Sequence, residues 1–286
     1  MESDVKFAVL IDADNISDKY IKIIMDEIAN SGIATYKRIY GDWTSPNLVS
    51  WKSVLLDNSI TPMQQYSYTS GKNSTDSAMI IDAMDILYSG TVGGFCIASS
   101  DSDFTRLAAR LRESGMQVIG MGESKTPKPF ISACNQFKYL DLLYNNQVKK
   151  EKEELAIQKQ KQQVKTTVKS GLGMKITTVK KNRKVSVPVK EETVKLPSEQ
   201  EKICIVINAI IEKFSDEDGW LFSGKLGDQL SKRLPDFDVR NFGFSKLTPF
   251  ISSLGEYELD KVSDANNQKQ IYVRMKDKKE TGESDR

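Results

Sequence analysis

The first half of the chain alternates between short apolar runs and segments with helical spacing. Phe7–Ile11 and Gly94–Ala98 have the length and composition of strands that are buried on both faces of a sheet. Ser17–Ser31 and Thr75–Tyr88 repeat apolar residues three and four positions apart, which predicts helices. The same patterns predict further strands at Thr35–Tyr40, Thr61–Tyr66, Gln117–Gly120 and Phe137–Leu140, and helices at Pro46–Asp57, Phe104–Ser114 and Pro129–Ala133. This order predicts an α/β domain, doubly wound around a mostly parallel sheet.

The last third of the chain has a different pattern. Helical spacing occurs in three segments, Glu199–Phe214, Ser223–Leu234 and Phe244–Leu254. Tyr257–Val262 and Gln270–Met275 then alternate like the two strands of a hairpin. Three helices followed by a hairpin favour a small winged-helix domain over residues 198–276.

Charge separates these two regions from the segment between them. Residues 147–198 hold 14 Lys/Arg against 5 Asp/Glu, a net charge of +9, whereas residues 1–146 carry −4 and residues 199–286 carry −3. We therefore predict a basic, flexible linker over 147–197, with a solvated helix at its start, and a disordered tail over 277–286. Such a linker either adds nonspecific affinity for nucleic-acid phosphates or serves only as a solubilising tether.

Composition excludes several kinds of chemistry. The 286 residues include no histidine, so no Ser-His or Cys-His nucleophile and no histidine-ligated zinc site can form. The three cysteines, Cys96, Cys134 and Cys204, are far apart, which is typical of a reducing cytoplasm. No apolar run approaches the roughly 20 residues that cross a bilayer, so we expect no membrane partner. Any bound metal should be a hard cation held by oxygen ligands.

Acidic side chains follow two of the predicted strands. Asp12 comes directly after the first strand, and Asp101 and Asp103 follow the Gly94–Ala98 strand. In doubly wound sheets, ligands bind beyond the carboxyl ends of the strands. Asp76 opens a helix, so it can join the other three acids at this edge. The four acids predict a site for Mg²⁺ or Mn²⁺ suited to phosphodiester cleavage.

Two further side chains fit this site, and some of the acids and serines near it can instead have purely structural roles. Asn15 can contact a phosphate or hold a carboxylate in place, and Lys72 can offset phosphate charge. Asp76 can instead complement a helix dipole. The other polar residues near the acids can be helix N-caps (Asp14, Ser100, Ser102) or solvent-facing or supporting acids (Asp82, Asp85).

Three motifs together resemble the NYN domain, which belongs to the PIN-like nuclease superfamily. They are Leu10–Asn15, Lys72–Asp76 with Asp82 six residues later, and Ser99–Phe104, within residues 1–146. The resemblance implies a PIN-like fold and a divalent-metal-dependent ribonuclease that often dimerises. It also implies which residues form the catalytic and metal site: Asp12, Asp76, Asp101 and Asp103 as metal-site acids, with Asn15 as the motif asparagine. Ser100 stands where relatives often have glycine.

The C-terminal region resembles the OST-HTH/LOTUS domain through Leu226–Leu230 and Pro235–Leu247. This resemblance implies RNA binding or docking onto a protein partner. Basic residues are available for phosphates, and one aromatic residue for base stacking: Lys225, Lys232, Arg233, Arg240, Lys246 and Phe242. The alternative is that Phe242 belongs to the core and Arg240 to a structural ion pair.

The sequence as a whole therefore predicts a cytoplasmic, metal-dependent ribonuclease that is tethered to an RNA-binding LOTUS domain. One competing hypothesis is a non-catalytic RNA-binding adaptor whose acidic site is vestigial. Another is a phosphatase of the haloacid dehalogenase type, in which Asp12 would be the nucleophile. Asn15 stands where such phosphatases usually have Thr or Val.

Overall fold

The computed structural model describes residues 4–66, 74–152, 199–263 and 269–276. Strands and helices alternate up to residue 152. The strands of this region are β1 (Lys6–Asp12), β2 (Ile33–Gly41), β3 (Thr61–Gln64), β4 (Gly94–Ala98), β5 (Gln117–Gly122) and β6 (Gln136–Tyr139). The helices are α1 (Ile21–Ser31), α2 (Val49–Leu55), α3 (Ser74–Ser89), α4 (Thr105–Glu113), α5 (Lys128–Ala133) and α6 (residues 140–152).

The strands form one six-stranded sheet in the order β3-β2-β1-β4-β5-β6, and every neighbouring pair is parallel. The central strand β1 is buried on both faces, which explains its continuous apolar sequence. Phe7, Val9 and Ile11 face α1, α2 and α6, whereas Ala8 and Leu10 face α3, α4 and α5. The predicted doubly wound α/β fold is confirmed.

The strand order reverses between β1 and β4. From β1 the chain proceeds to β2 and β3 on one side, and from β4 it proceeds to β5 and β6 on the other. The loops that leave β1 and β4 therefore diverge and open a crevice at the carboxyl edge of the sheet. In folds of this type the crevice is the ordinary place for a ligand.

Some boundaries differ from the sequence-based predictions. The helix expected at Pro46–Asp57 begins as a 3₁₀ turn over Pro46–Leu48, because Ser45 caps it and Pro46 starts it. Residues 147–152 of the predicted linker continue α6, and the rest of that linker lies outside the described residues. The predicted tail at 277–286 and the side chain of Lys72 also lie outside them.

The C-terminal domain consists of three helices and a small antiparallel sheet. The helices are α7 (Glu199–Phe214), α8 (Ser223–Arg233) and α9 (Leu247–Leu254), and the strands are β7 (Leu221–Phe222), β8 (Tyr257–Ser263) and β9 (Lys269–Met275), in the order β7-β9-β8. Strand β7 was not predicted, because its two residues are too few to show alternation. The predicted third helix starts later than expected, because a 3₁₀ turn over Val239–Phe242 ends at Gly243, whose φ of 80° is in the left-handed region. The winged-helix prediction is otherwise confirmed.

The two domains touch each other. The backbone N–H of Phe137 in β6 donates a hydrogen bond to the carbonyl of Pro235, at 2.8 Å. This bond lies at the outer edge of the six-stranded sheet, where β6 has no further strand as a neighbour among the described residues. The contact therefore covers a sheet edge whose backbone groups would otherwise face solvent. Within the described ranges, no helix has the length and apolarity to cross a membrane.

Candidate metal centre

Asp12 lies at the end of β1 and its side chain is fully buried. One carboxylate oxygen, Oδ2, accepts hydrogen bonds from Asn15 Nδ2 and Ser99 Oγ, both at 2.7 Å. The other oxygen, Oδ1, accepts the backbone N–H of Asp14 at 3.1 Å. Burial raises the pKa of Asp12 above its usual value, although these hydrogen bonds oppose the rise. Asn15 thus contacts a carboxylate in this structure, and its role at the site stays a prediction.

The loop after β4 is held in place by its own side chains. The backbone N–H of Asp101 donates to Ser99 Oγ at 3.1 Å, and that of Asp103 donates to Asp101 Oδ1 at 2.9 Å. Asp101 is thus the N-cap of the 3₁₀ turn over Ser102–Phe104. Ser100 instead accepts the backbone N–H of Glu123, at 2.9 Å, and so ties the loop to the chain after β5.

Three carboxylates meet in front of this loop. Asp76, in the first turn of α3, places a carboxylate oxygen near those of Asp101 and Asp103, and all three oxygens lie within 4.8 Å of one another. Asp76 and Asp101 are half-buried and Asp103 is exposed, so the cluster is open to solvent on one side. We call Asp76, Asp101 and Asp103 the carboxylate triad.

The electrostatics of the triad favour a bound cation. Burial, and then the negative charges of Asp12, Asp101 and Asp103, raise the pKa of Asp76 to about 6. Several oxygen donors of like charge that converge on one point are the usual ligand set for Mg²⁺ or Mn²⁺. The residues present therefore fit a hard divalent ion.

Asp12 differs from the triad in position. It is close enough for its charge to raise the pKa of Asp76, but it does not belong to the group of oxygens within 4.8 Å. Its three hydrogen bonds come from residues on both sides of the crevice. Asp12 thus links the β1 and β4 loops through its hydrogen bonds.

Asp82 was considered as a supporting acid, but its partners on the neighbouring strand were not predicted. Asp82, two turns along α3 from the triad, accepts hydrogen bonds from both Arg38 and Tyr40 of β2. Burial and the adjacent Asp82 raise the pKa of Tyr40 well above its usual value. These contacts fasten α3, and hence Asp76, to the sheet. The position of Asp82 within the second motif was the signal that could have pointed to this contact between α3 and β2.

The candidate RNA contacts in the C-terminal domain have different environments. Lys225 and Lys246 are exposed, with Lys225 4.9 Å from the ring centroid of Phe214. Phe242 is half-buried, and its ring centroid lies 5.1 Å from that of Phe250 in the core. Arg240 pairs with Glu27 of the first domain and with Asp238. The ion pair considered for Arg240 is therefore present in the structure.

The six-stranded parallel sheet flanked by helices fits a PIN-like fold, and comparison with known proteins finds two domain families in the chain. Residues 6–141 match the NYN domain and residues 199–268 match the OST-HTH/LOTUS domain. The chain therefore carries an NYN domain and a C-terminal LOTUS domain, as the motifs indicated. NYN domains form a family of PIN-like nucleases, and LOTUS domains bind RNA.

No curated protein matches the chain significantly. A solved structure of a protein of unknown function from Vibrio parahaemolyticus RIMD 2210633 is similar, with 16% sequence identity and a TM-score of 0.42. The match covers 49% of this chain and 94% of that one.

Proposed function

We propose that this protein is a divalent-metal-dependent ribonuclease whose LOTUS domain binds the RNA. The observation that carries the proposal is the carboxylate triad, whose oxygens lie within 4.8 Å of one another at the point where the strand order reverses. The family supports the same conclusion, because NYN domains belong to a nuclease superfamily. The free thiols of the three cysteines support a reducing location such as the cytoplasm.

In this proposal each acid has a distinct role. Asp76, Asp101 and Asp103 hold Mg²⁺ or Mn²⁺, which when bound lowers the pKa of an attacking water and neutralises charge on the phosphodiester. Asp12 stays buried and holds the two loops in register through Ser99 and Asn15. The half-exposed triad leaves one side open for a phosphate. No protein base is required.

The geometry argues against the phosphatase hypothesis. A nucleophilic Asp12 would need a carboxylate oxygen that is open to an approaching phosphorus atom. Asp12 is instead fully buried, and both of its carboxylate oxygens already accept hydrogen bonds. The hypothesis of a non-catalytic RNA-binding adaptor is tested by the experiment below, where it corresponds to the second outcome.

Cleavage of labelled RNA tests the proposal. Single-stranded and structured RNAs are incubated with Mn²⁺ or Mg²⁺ and the wild-type protein, with and without EDTA. Asp101→Asn removes one triad charge, whereas Asp85→Asn removes a charge from an exposed position on α3 and serves as the matched control. We expect metal-dependent cleavage that is lost in Asp101→Asn and kept in Asp85→Asn. RNA binding without cleavage by any of the three proteins would instead support the adaptor.

A further inference from the structure

Three consecutive residues of β6 bind the LOTUS domain. Besides the backbone bond of Phe137, Lys138 Nζ donates to Asp238 at 2.9 Å and Tyr139 Oη donates to Asp236 at 2.9 Å. The three partners all lie within the short segment from Pro235 to Asp238. Three bonds between two short segments fix the position of the docked domain at the edge of the sheet.

An ion-pair cluster closes one end of this contact. The guanidinium of Arg240 donates to both carboxylate oxygens of Glu27, at 2.5 and 2.9 Å, and to Asp238 at 2.6 Å. Asn146 Nδ2 donates to the backbone carbonyl of Arg240 at 2.8 Å. Glu27 is only 9% exposed, so without Arg240 its charge would be poorly solvated. The charges of this cluster therefore contribute to the specificity of the docking between the two domains.

The docked domains enclose a cleft on the α5 side of β6, with a volume of about 510 Å³. Three exposed cations line it: Lys128 from α5, Lys202 from α7 and Arg233 from the end of α8. Within the described ranges, none of the three forms a salt bridge with a carboxylate. The one acid among the lining residues, Asp236, already accepts a hydrogen bond from Tyr139. Among the residues that line the cleft, cations therefore outnumber acids by three to one.

The cleft and the triad share one edge of the sheet. Ser124, which lines the cleft, follows the carboxyl end of β5, and Tyr139 ends β6. The triad lies beyond the carboxyl end of β4, which is two strands from β6. Neighbouring strands lie about 4.8 Å apart, so β4 and β6 are separated by roughly 10 Å. The cleft and the triad thus open towards the same edge of the sheet, and a chain held in the cleft would extend along that edge towards the acids.

We propose that this interdomain cleft binds single-stranded RNA and feeds it to the carboxylate triad. The inference rests on the proposed ribonuclease function. Lys128, Lys202 and Arg233 would contact phosphates, and the rings of Tyr139 and Phe242, which also line the cleft, would contact bases. A cleft of this volume accommodates individual nucleotides. The bases are accessible only in an unpaired strand, since the major groove of an RNA duplex is deep and narrow.

Fluorescence anisotropy of a labelled single-stranded RNA tests the cleft without cleavage, because the titrations are carried out in EDTA. The test variant is Lys202→Ala with Arg233→Ala, and the control is Lys52→Ala with Arg110→Ala, which removes the same charge from exposed sites outside the cleft. Each lost phosphate contact should reduce the slope of log K against log salt concentration by about 0.7, or about 1.4 for the pair. The control should keep the wild-type slope and affinity.

A second variant tests whether docking builds the site. Glu27→Lys places a cation against Arg240 and should separate the domains, with circular dichroism used to confirm that both stay folded. The added positive charge by itself would strengthen RNA binding. A lower affinity for RNA and a smaller salt-dependence slope would therefore support a cleft that needs both domains. Wild-type binding by a folded Glu27→Lys protein whose domains have separated, as measured by small-angle X-ray scattering, would overturn the inference.

The outcomes separate this inference from the proposed function. If the wild type cleaves RNA with metal while Lys202→Ala with Arg233→Ala binds as tightly as wild type with an unchanged slope, the cleft is rejected and the nuclease stands. If the variant loses affinity while the wild type never cleaves, the cleft stands as an RNA site and the nuclease is rejected.

Discussion

Replacing Asp76 by Asn should stabilise the metal-free protein. Asp76 lies in the triad, where burial and the neighbouring carboxylates raise its pKa from 3.8 to about 6. A carboxyl group whose pKa is higher in the folded than in the unfolded state destabilises the fold wherever it is ionised in both states. Asn keeps the shape of the side chain and removes the charge. The substitution therefore relieves repulsion that a bound ion would otherwise relieve.

The size of the effect follows from the pKa. A pKa of about 6 for Asp76, compared with 3.8 in the unfolded chain, corresponds to about 3 kcal/mol at pH 7. Asp76 is only half-buried, so solvent screening reduces this figure, and loss of its favourable interaction with the start of α3 subtracts roughly 0.5 kcal/mol. A net gain of about 1–2 kcal/mol in the free energy of unfolding is expected at pH 7. As the pH falls through 6 towards 4, wild-type Asp76 becomes protonated and the difference shrinks towards zero.

Urea unfolding in EDTA measures this gain. Trp51 of α2 is buried against the sheet, so in a Trp220→Phe background, which removes the tryptophan of the LOTUS domain, tryptophan fluorescence reports unfolding of the NYN domain. Asp85→Asn, an exposed change on the same helix, should leave the midpoint unchanged. The reasoning is refuted if Asp76→Asn is no more stable than wild type at pH 7, or if its advantage is as large at pH 4 as at pH 7.

Three further predictions concern the supports of the site and the domain contact. Burial tends to raise the pKa of Asp238, but Arg240 and Lys138 hold it far below its usual range. Arg240 belongs to the same domain as Asp238, so only the part that comes from Lys138 stabilises docking; that part is present above about pH 4 and is lost as the pH falls further. Small-angle X-ray scattering should therefore show weaker docking in acid while circular dichroism still reports folded domains, and docking that is equally tight at pH 7 and in acid would contradict this role of Lys138. Ser99→Ala removes a hydrogen bond from buried Asp12 and should lower the free energy of unfolding by about 1–3 kcal/mol. Urea titration measures this loss, and an unchanged free energy of unfolding would contradict the linking role of Asp12. Phe250→Ala removes a fully buried ring that contacts Phe242. Thermal unfolding should show the LOTUS domain destabilised by about 3–5 kcal/mol, and a loss below about 1 kcal/mol would argue against a shared aromatic core.

The strands and the convergence of the acids were predictable because each depends on local sequence. Phe7–Ile11 is continuously apolar since β1 is covered on both faces, and parallel strands bring their carboxyl ends to one edge. The common location of Asp12 and Asp101 at that edge therefore follows from the order of the strands and from where each strand ends.

What local sequence could not provide was the arrangement across distant elements. Asp12 is buried whereas the triad is open to solvent on one side. This difference depends on how far each loop projects beyond the sheet. Arg240 finds Glu27 across 213 positions of sequence, so its role in docking is not visible in the LOTUS motif alone. The contacts of Asp82 with β2 are likewise set by the packing of α3.

The central claim is that the carboxylate triad holds the ion that allows RNA to be cleaved. The most direct test is a Mn²⁺ titration in which electron paramagnetic resonance measures bound Mn²⁺ and the cleavage rate of a labelled RNA is measured on the same samples. We expect the cleavage rate to rise in proportion to bound Mn²⁺, and both to be lost together in Asp101→Asn. Cleavage that persists after Mn²⁺ binding is lost, or Mn²⁺ binding that never yields cleavage of any RNA tested, would contradict the account.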